Sequence, residues 1–549
     1  MILEFSLDYR SSSLVYEKIF LKLLKEHGLS GKIIKNKFSL KFYVVSEDME
    51  LLKDFITNFS STLPHSIFLY ANDAQMLEEM PEGNYELNED KKTSLPFCLE
   101  CLHDVMDETG DDYYNIFKEC SVCGYSVDGE KRSYKKEFEK IAQDIKNGKN
   151  VELSTLYGKY IVGLPSKLCN EYKCDLIAYD YATINEYMNA IEEELTAIAS
   201  FEKPFVKLSR KMKLALDYED VEVELFRCKL PDDLVLHLLM QELYALDERL
   251  MFISKEKIDY DEQLHLNVIK EEQEPIELVV SSTHRAIVKG EKGLQEFEVL
   301  REEVVPSHGA LLSVVNEHSI DAQNIAGLYL SKERQSSLVV YGKKYDFIDY
   351  LYFTFSFSSV KEVMNAIVES DETARKLVEN YTNKFPQHLE KIKDISWKKE
   401  KLSIYDLWGV AAIILNLTQS DDIYQAAQDL EDNNMKFLGE KGPRIDYKLI
   451  KEEKQIVLDP LKMIRSAISF KLAGIDNLTL SYGIMESFVE FIAHEIDVLK
   501  ESMSVEAVVI SGSMLENKKL FRRLCKDIND NHKLYFHNEL LVDGDSIFK

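Results

Sequence analysis

The chain is 549 residues long and 45% hydrophobic, and its 96 acidic against 67 basic side chains give a formal charge of −29. That length exceeds what one core can hold, so several domains are expected, and a surface this acidic repels phosphate backbones, which excludes broad nucleic-acid binding. The acidic start 1–8 lacks the basic flank of a signal peptide and no apolar run approaches the length of a membrane span, so the expectation is a cytoplasmic chain without membrane insertion.

Residues 1–92 alternate strand and helix patterns: a strand over 1–7, an amphipathic helix over 14–27 ended by Gly28, a strand over 37–45, a helix over 49–59 and a strand over 66–70. Two βαβ halves of this size predict a ferredoxin-like sandwich. The stretch Lys25-Glu-His-Gly-Leu-Ser-Gly31-Lys-Ile-Ile-Lys-Asn36 resembles a signature of the acylphosphatase domain. That family grips its phosphoryl group with a glycine-rich loop and an arginine, whereas loop 9–16 here has no glycine and carries its one arginine, Arg10, at the wrong end. Asn36 falls near the family's water-positioning asparagine. The fold without the chemistry is the expectation.

An acidic linker over 81–92 precedes Cys98-Leu-Glu-Cys101, eighteen residues, and Cys120-Ser-Val-Cys123. Paired thiolates two residues apart, used twice, close a tetrahedral shell and predict one structural zinc on Cys98, Cys101, Cys120 and Cys123, with no open position for catalysis. Two reduced turns or a disulfide pair would be the alternatives. Cys169, Cys174, Cys228 and Cys525 follow no framework and read as reduced thiols.

The residues between the cysteine pairs, 102–107 and 113–117, resemble the zinc fingers of the HypF family, the carbamoyl transferases of [NiFe]-hydrogenase maturation. One finger stands here where that family usually has two. The next segment reads as a helix over 136–147, strands over 150–153, 160–164 and 176–179, and a helix over 184–198. It resembles the family's YrdC-like α/β domain, which makes carbamoyl-adenylate from ATP: Lys203-Pro204-Phe205 matches Lys-Pro-Phe, and Leu230-Pro231 with His237-Leu-Leu matches a second motif. The basic cluster that a triphosphate needs ahead of Lys203 is replaced by Thr196-Ala-Ile-Ala-Ser-Phe-Glu202, and Thr155-Leu-Tyr-Gly158-Lys159 keeps one glycine and one lysine of an early turn. Lys203 reads as a surface residue beside a retained turn.

Residues 276–549 resemble the last HypF domain, an actin-like (ASKHA), TsaD-like fold, with a first lobe reduced in length. The landmarks, in order, are 304–318, Gln425-Ala-Ala-Gln-Asp-Leu-Glu431, Val508-Val-Ile-Ser511-Gly512 and Leu541-Val-Asp543-Gly544. The family's metal-binding histidines, four residues apart, are replaced by Pro306 and Ala310, leaving His308 and Asp543. An acid, Asp406, stands at an arginine position, Ile423 replaces a nucleotide-holding glutamate, and Tyr424 takes the place of the adjacent glycine. The resemblance therefore assigns Lys203, Ser511, Gly512 and Asp543 as the residues left to meet a nucleotide, with no catalytic residue intact.

The losses fall on charged and glycine positions, while apolar positions keep their 3.6 period in the helices 461–472 and 484–499, and the most continuous apolar run, 407–417, is too short to span a bilayer. The expectation is four domains: acylphosphatase-like over 1–92, a zinc ribbon over 93–128, YrdC-like over 129–275 and TsaD-like over 276–549. The function implied is a catalytically degenerate, HypF-like accessory docking on a hydrogenase maturation protein or hydrogenase precursor. The rival expectation is an active divergent carbamoyltransferase using ATP and carbamoyl phosphate on a maturation partner.

Overall fold

The computed structural model describes residues 1–36, 39–83, 96–266, 268, 275–290, 305–344, 346–452 and 455–537. Residues 84–92 of the expected linker and the segment holding Asp543 lie outside the described residues. Two compact units are formed, one from Met1–Leu278 and one from Val279–Val288 with the described residues from 305 onward.

The first unit opens with a four-stranded antiparallel sheet in the order Ser30–Lys35, Leu40–Val45, Ile2–Tyr9, Leu69–Leu77, with the helices Val15–His27 and Met49–Thr62 connecting its strands. This is the expected ferredoxin-like order. Its core is aromatic: the Phe20 ring lies 4.6 Å from Phe42 and 5.6 Å from Phe59, and Phe59 lies 5.0 Å from Phe5. Such edge contacts add to the burial of large rings. The last strand starts at Leu69, three residues later than the sequence pattern implies. Glu202 accepts from the Ser66 hydroxyl at 2.6 Å and the Ile67 N–H at 3.0 Å, holding Ser66 and Ile67 in a turn and out of the ladder. Strand Ser30–Lys35 is absent from the expectation because an exposed edge strand shows no apolar alternation.

The same unit continues with a mixed sheet in the order Glu262–Gln263, Val151–Thr155, Gly158–Gly163, Leu250–Ser254, Asp175–Ala178, Leu225–Lys229, Phe205–Arg210 and Glu277–Val280. Glu277 and Leu278 pair in parallel with Phe205 and Val206. The helix expected over 184–198 is two helices, Tyr181–Tyr187 and Glu192–Ala199. Met188 and Asn189 leave the helix to pair with Arg210 and Ser209, and the Asn189 amide donates to the Ser209 hydroxyl and the Arg210 carbonyl at 3.1 Å each. The Glu194 carboxylate then accepts the Ile191 N–H at 3.0 Å and starts the second helix.

In the second unit, Ile325–Tyr329, Ser337–Gly342 and Asp346–Tyr352 form an antiparallel meander, and Ala507–Ser511 and Lys533–Tyr535 add in parallel on the other side of Ile325–Tyr329. Strand residues alternate between two cores. Val339 and Val509 meet Leu311 and Val314 of helix Pro306–His318, while Leu338, Val340, Val508 and Ile510 join a larger core with Trp408, Phe488 and Ile492.

Helix Ile404–Ile414 is buried over all eleven residues, and Asn477–Met503 is longer at both ends than the expected 484–499. Gly409 lets the buried helix meet Ile423–Lys436 at backbone contact, for a Cβ there would stand 1.9 Å from the Ile423 carbonyl oxygen. Gly409→Ala should therefore force these helices apart and lower stability by about 1–3 kcal/mol, read as a fall in the urea midpoint of the full chain.

Candidate functional site

The cysteine pairs come together through two knuckles. Cys98 precedes helix Leu99–Met106, and its carbonyl accepts the Leu102 N–H at 3.0 Å, placing Cys101 one turn inside. In the second knuckle the Cys120 carbonyl accepts the Gly124 N–H at 3.0 Å, the Cys120 N–H donates to the Tyr125 carbonyl at 2.8 Å, and the Cys123 sulfur accepts the Tyr125 N–H at 3.4 Å. All four thiols are buried, and their sulfurs lie within 4.8 Å of one another. Cys98 and Cys120 are 3.6 Å apart, Cys101 and Cys123 3.5 Å, and Cys98 and Cys101 3.9 Å. A tetrahedral ion with metal–sulfur bonds of about 2.3 Å separates its sulfurs by about 3.8 Å, so the cluster fits one thiophilic metal ion. Hydrogen bonds among the four thiols hold Cys98 and Cys120 below the usual range and push Cys101 and Cys123 above it, as expected of thiols that share protons at close quarters. Lys118, with its side chain 2% exposed, is clamped by Asp104 and lies 3.4 Å from Asp112. Burial is the largest single influence and disfavours its ammonium, but the bond to Asp104 together with the nearby Cys101, Asp104 and Asp112 charges outweighs it and leaves its pKa raised.

Lys203 is not the surface residue that its sequence context implied. It is partly buried, lines a cavity of about 410 Å³, has a left-handed φ of 46°, and has its ammonium 5.9 Å from the Phe97 ring centroid. Nearby, Lys229 and Asp232 form a buried ion pair at 2.5 Å. Asp233 caps helix Leu234–Ala245, accepting from Val235 N–H at 2.7 Å and Leu156 N–H at 2.9 Å. Burial raises the Asp233 carboxyl to about 6 and pushes the His237 imidazole down to about 4.

In the second unit, Ser511 ends a central strand and Gly512 follows with φ 109°. A Cβ on Gly512 would lie 2.1 Å from the Leu330 carbonyl oxygen, so the turn is held against the backbone at Leu330. The next residue, Ser513, accepts the Lys332 N–H at 3.0 Å, and the Lys332 ammonium, almost fully buried, sits 3.0 Å from both Glu431 and Glu516. Tyr405 donates to Glu431 at 2.9 Å, and Tyr424 meets Tyr405 edge-on at 5.4 Å. Glu431 and Tyr424 stand out in the sequence, but Lys332 and Glu516 do not, because nothing local marks a lysine as the centre of a long-range ion-pair cluster.

Other positions that departed from the family pattern have structural uses here. Asp406 forms a capping box with Ser403 at the start of the buried helix, accepting the Ser403 N–H at 2.6 Å. Pro306 begins helix Pro306–His318 and Ala310 is fully buried in it. His308 stacks on Phe347 at 4.0 Å and bonds to Asp349 at 2.9 Å. In the loop after the first strand, Arg10 is bound to Asp8 through two nitrogens, at 2.9 and 3.2 Å, and the Asn36 side chain accepts the Ser39 N–H at 3.0 Å. The structure thus keeps Lys203 in one unit and Ser511 and Gly512 in the other, and Asp543 falls outside the described residues.

Two outcomes follow. Elemental analysis of protein purified under reducing conditions should return one metal ion per chain, and Cys120→Ser should lose it together with proteolytic protection of residues 96–125. The raised Asp233 pKa contributes stability that is lost as pH rises from about 4 to about 6, and the depressed His237 pKa contributes stability gained from about 4 to about 6.5. The two oppose each other, so His237→Gln should lose stability relative to wild type as pH rises from 4 to 6 in denaturant titrations.

Residues 406–547 match the family model described as "Carbamoyltransferase, Kae1-like Domain, second subdomain". Protein HydE of Wolinella succinogenes is 26% identical over 549 residues, covering 96% of each chain. Among solved structures, HypF from T. kodakarensis is 12% identical with a TM-score of 0.70, covering 99% of this chain and 97% of that one. Full-length HypF in a phosphate- and nucleotide-bound form is 13% identical with a TM-score of 0.66, covering 99% and 96%. Among the described residues, no helix is long and apolar enough to cross a membrane. The chain is thus similar to HydE along almost its entire length, matches a Kae1-like carbamoyltransferase domain at its C-terminal end, and shares the HypF fold over nearly its full length.

Proposed function

We propose that the chain is a catalytically degenerate HypF-like accessory of [NiFe]-hydrogenase maturation, working by docking onto a maturation protein or hydrogenase precursor. Its tetrathiolate centre holds one structural zinc and does no chemistry. The proposed modules are 1–92, acylphosphatase-like; 93–128, the zinc ribbon; 129–275, YrdC-like; and 276–549, TsaD-like with a reduced first lobe. Full-length similarity to HydE and HypF supports the maturation context.

One observation carries the degenerate reading: polar groups at the expected ligand positions are engaged within the protein. Arg10 is held by Asp8, Asp406 caps a helix, and His308 is stacked and bonded to Asp349. Beside Ser511 and Gly512, the Lys332 ammonium is already answered by Glu431 and Glu516, with Tyr405 donating to the same Glu431. An incoming phosphate would have to break a buried ion-pair cluster, which costs several kcal/mol.

The test is incubation of the metal-loaded chain with ATP and carbamoyl phosphate. No pyrophosphate release above buffer is expected, and ATP should leave the melting temperature unchanged, where a nucleotide at a hundred times its dissociation constant would add about 2.7 kcal/mol of stability. Rapid pyrophosphate release, or marked stabilisation by ATP, would return the chain to the active carbamoyltransferases.

A further inference from the structure

The cavity beside Lys203 goes beyond the docking function and does not depend on it. Its walls are mostly apolar, with Phe97, Leu99, Leu102, Phe201, Ile19 and Leu23 among them, and its volume of about 410 Å³ is in the range that holds small ligands. Lys22, Glu26, Thr62, His65 and Glu100 also line it, and two further polar groups, Ser200 and Lys203, bear on what it could hold. Ser200 is fully buried, and its hydroxyl has no hydrogen-bond partner among the described residues. A buried hydroxyl left unpaired costs about 1–3 kcal/mol.

The second group is the Lys203 ammonium, which among the described residues faces the Phe97 ring but makes no hydrogen bond or ion pair. The acids closest to it in effect, Asp232 and Glu202, are committed elsewhere: Asp232 to Lys229 at 2.5 Å, and Glu202 to Ser66 and Ile67. Desolvation lowers the Lys203 pKa, as expected of an ammonium that lacks a close anion. The backbone adds a third sign. Lys203 holds a left-handed φ of 46°, a conformation that costs a non-glycine residue roughly 1–2 kcal/mol and tends to persist where function needs it. At the rim, Glu26 and Glu100 are both paired with Lys22, at 3.8 and 2.9 Å.

We infer that this cavity binds a small amphipathic carboxylate, its anionic head received by the Lys203 ammonium and the Ser200 hydroxyl and its hydrocarbon body lying against Phe97, Phe201 and Leu102. A carboxylate supplies what both groups lack, a charge for the ammonium and an acceptor for the hydroxyl. The apolar walls favour a hydrocarbon tail over a second polar group.

Calorimetric titration of the full, metal-loaded chain with octanoate tests this, with octan-1-ol and octylammonium as matched probes. Octanoate should bind, and each matched probe should bind at least tenfold more weakly. Lys203→Met should weaken octanoate at least tenfold. Ala199→Trp, at an exposed position in the cavity wall, should block it without disturbing the fold. The assignment is overturned if octanoate fails to bind at millimolar concentration, if the alcohol or the amine binds equally well, or if Ala199→Trp, folded by its melting curve, leaves octanoate affinity unchanged.

Discussion

Taking an ion out of water costs several kcal/mol unless a partner of opposite sign and good geometry meets it, and this constraint organises the polar interior of the chain. Lys332 between Glu431 and Glu516, Lys118 beside Asp104, Lys229 on Asp232 and Lys35 on Glu17 each answer a charge that burial would otherwise penalise. The same logic extends to hydrogen bonds: Glu202, 2% exposed, receives a hydroxyl and a backbone N–H and so fixes the turn that sets where the fourth strand begins.

The HypF fold therefore persists here with its polar groups turned inward. Residues that look like losses when set beside the family pattern have positive structural uses: an acid at a helix N-cap, a proline opening a helix, an alanine in its core. The tyrosine pair Tyr405 and Tyr424 covers Glu431 with aromatic surface. Ligand sites generally keep polar groups exposed and under-satisfied until the ligand arrives. Satisfying them internally stabilises the fold and raises the cost of admitting a phosphate.

The tetrathiolate centre and the cavity beside Lys203 obey opposite rules. Four sulfurs converge closely enough to surround one ion and leave no position for substrate, which suits a structural clasp between helix Leu99–Met106 and the 120–124 knuckle. Around Lys203 the groups are left unanswered: a buried hydroxyl without a partner, a cation on an aromatic face and a strained backbone, all beside empty volume.

Much of this was legible in the sequence wherever a local rule governs. The metal ligands follow from the spacing of two cysteine pairs, because a knuckle is a local object. The ferredoxin-like order follows from alternating periods of two and 3.6. The break at Met188–Asn189 and the late start at Leu69 were hidden, since each is imposed by a partner distant in sequence, Ser209–Arg210 in one case and Glu202 in the other. The Lys332 cluster and the Lys203 cavity were hidden for the same reason. Sequence alone determined which short segments form and which cysteines can share an ion; only the tertiary structure decided which charges are neutralised and which stay open, because that depends on groups brought within a few ångströms by folding.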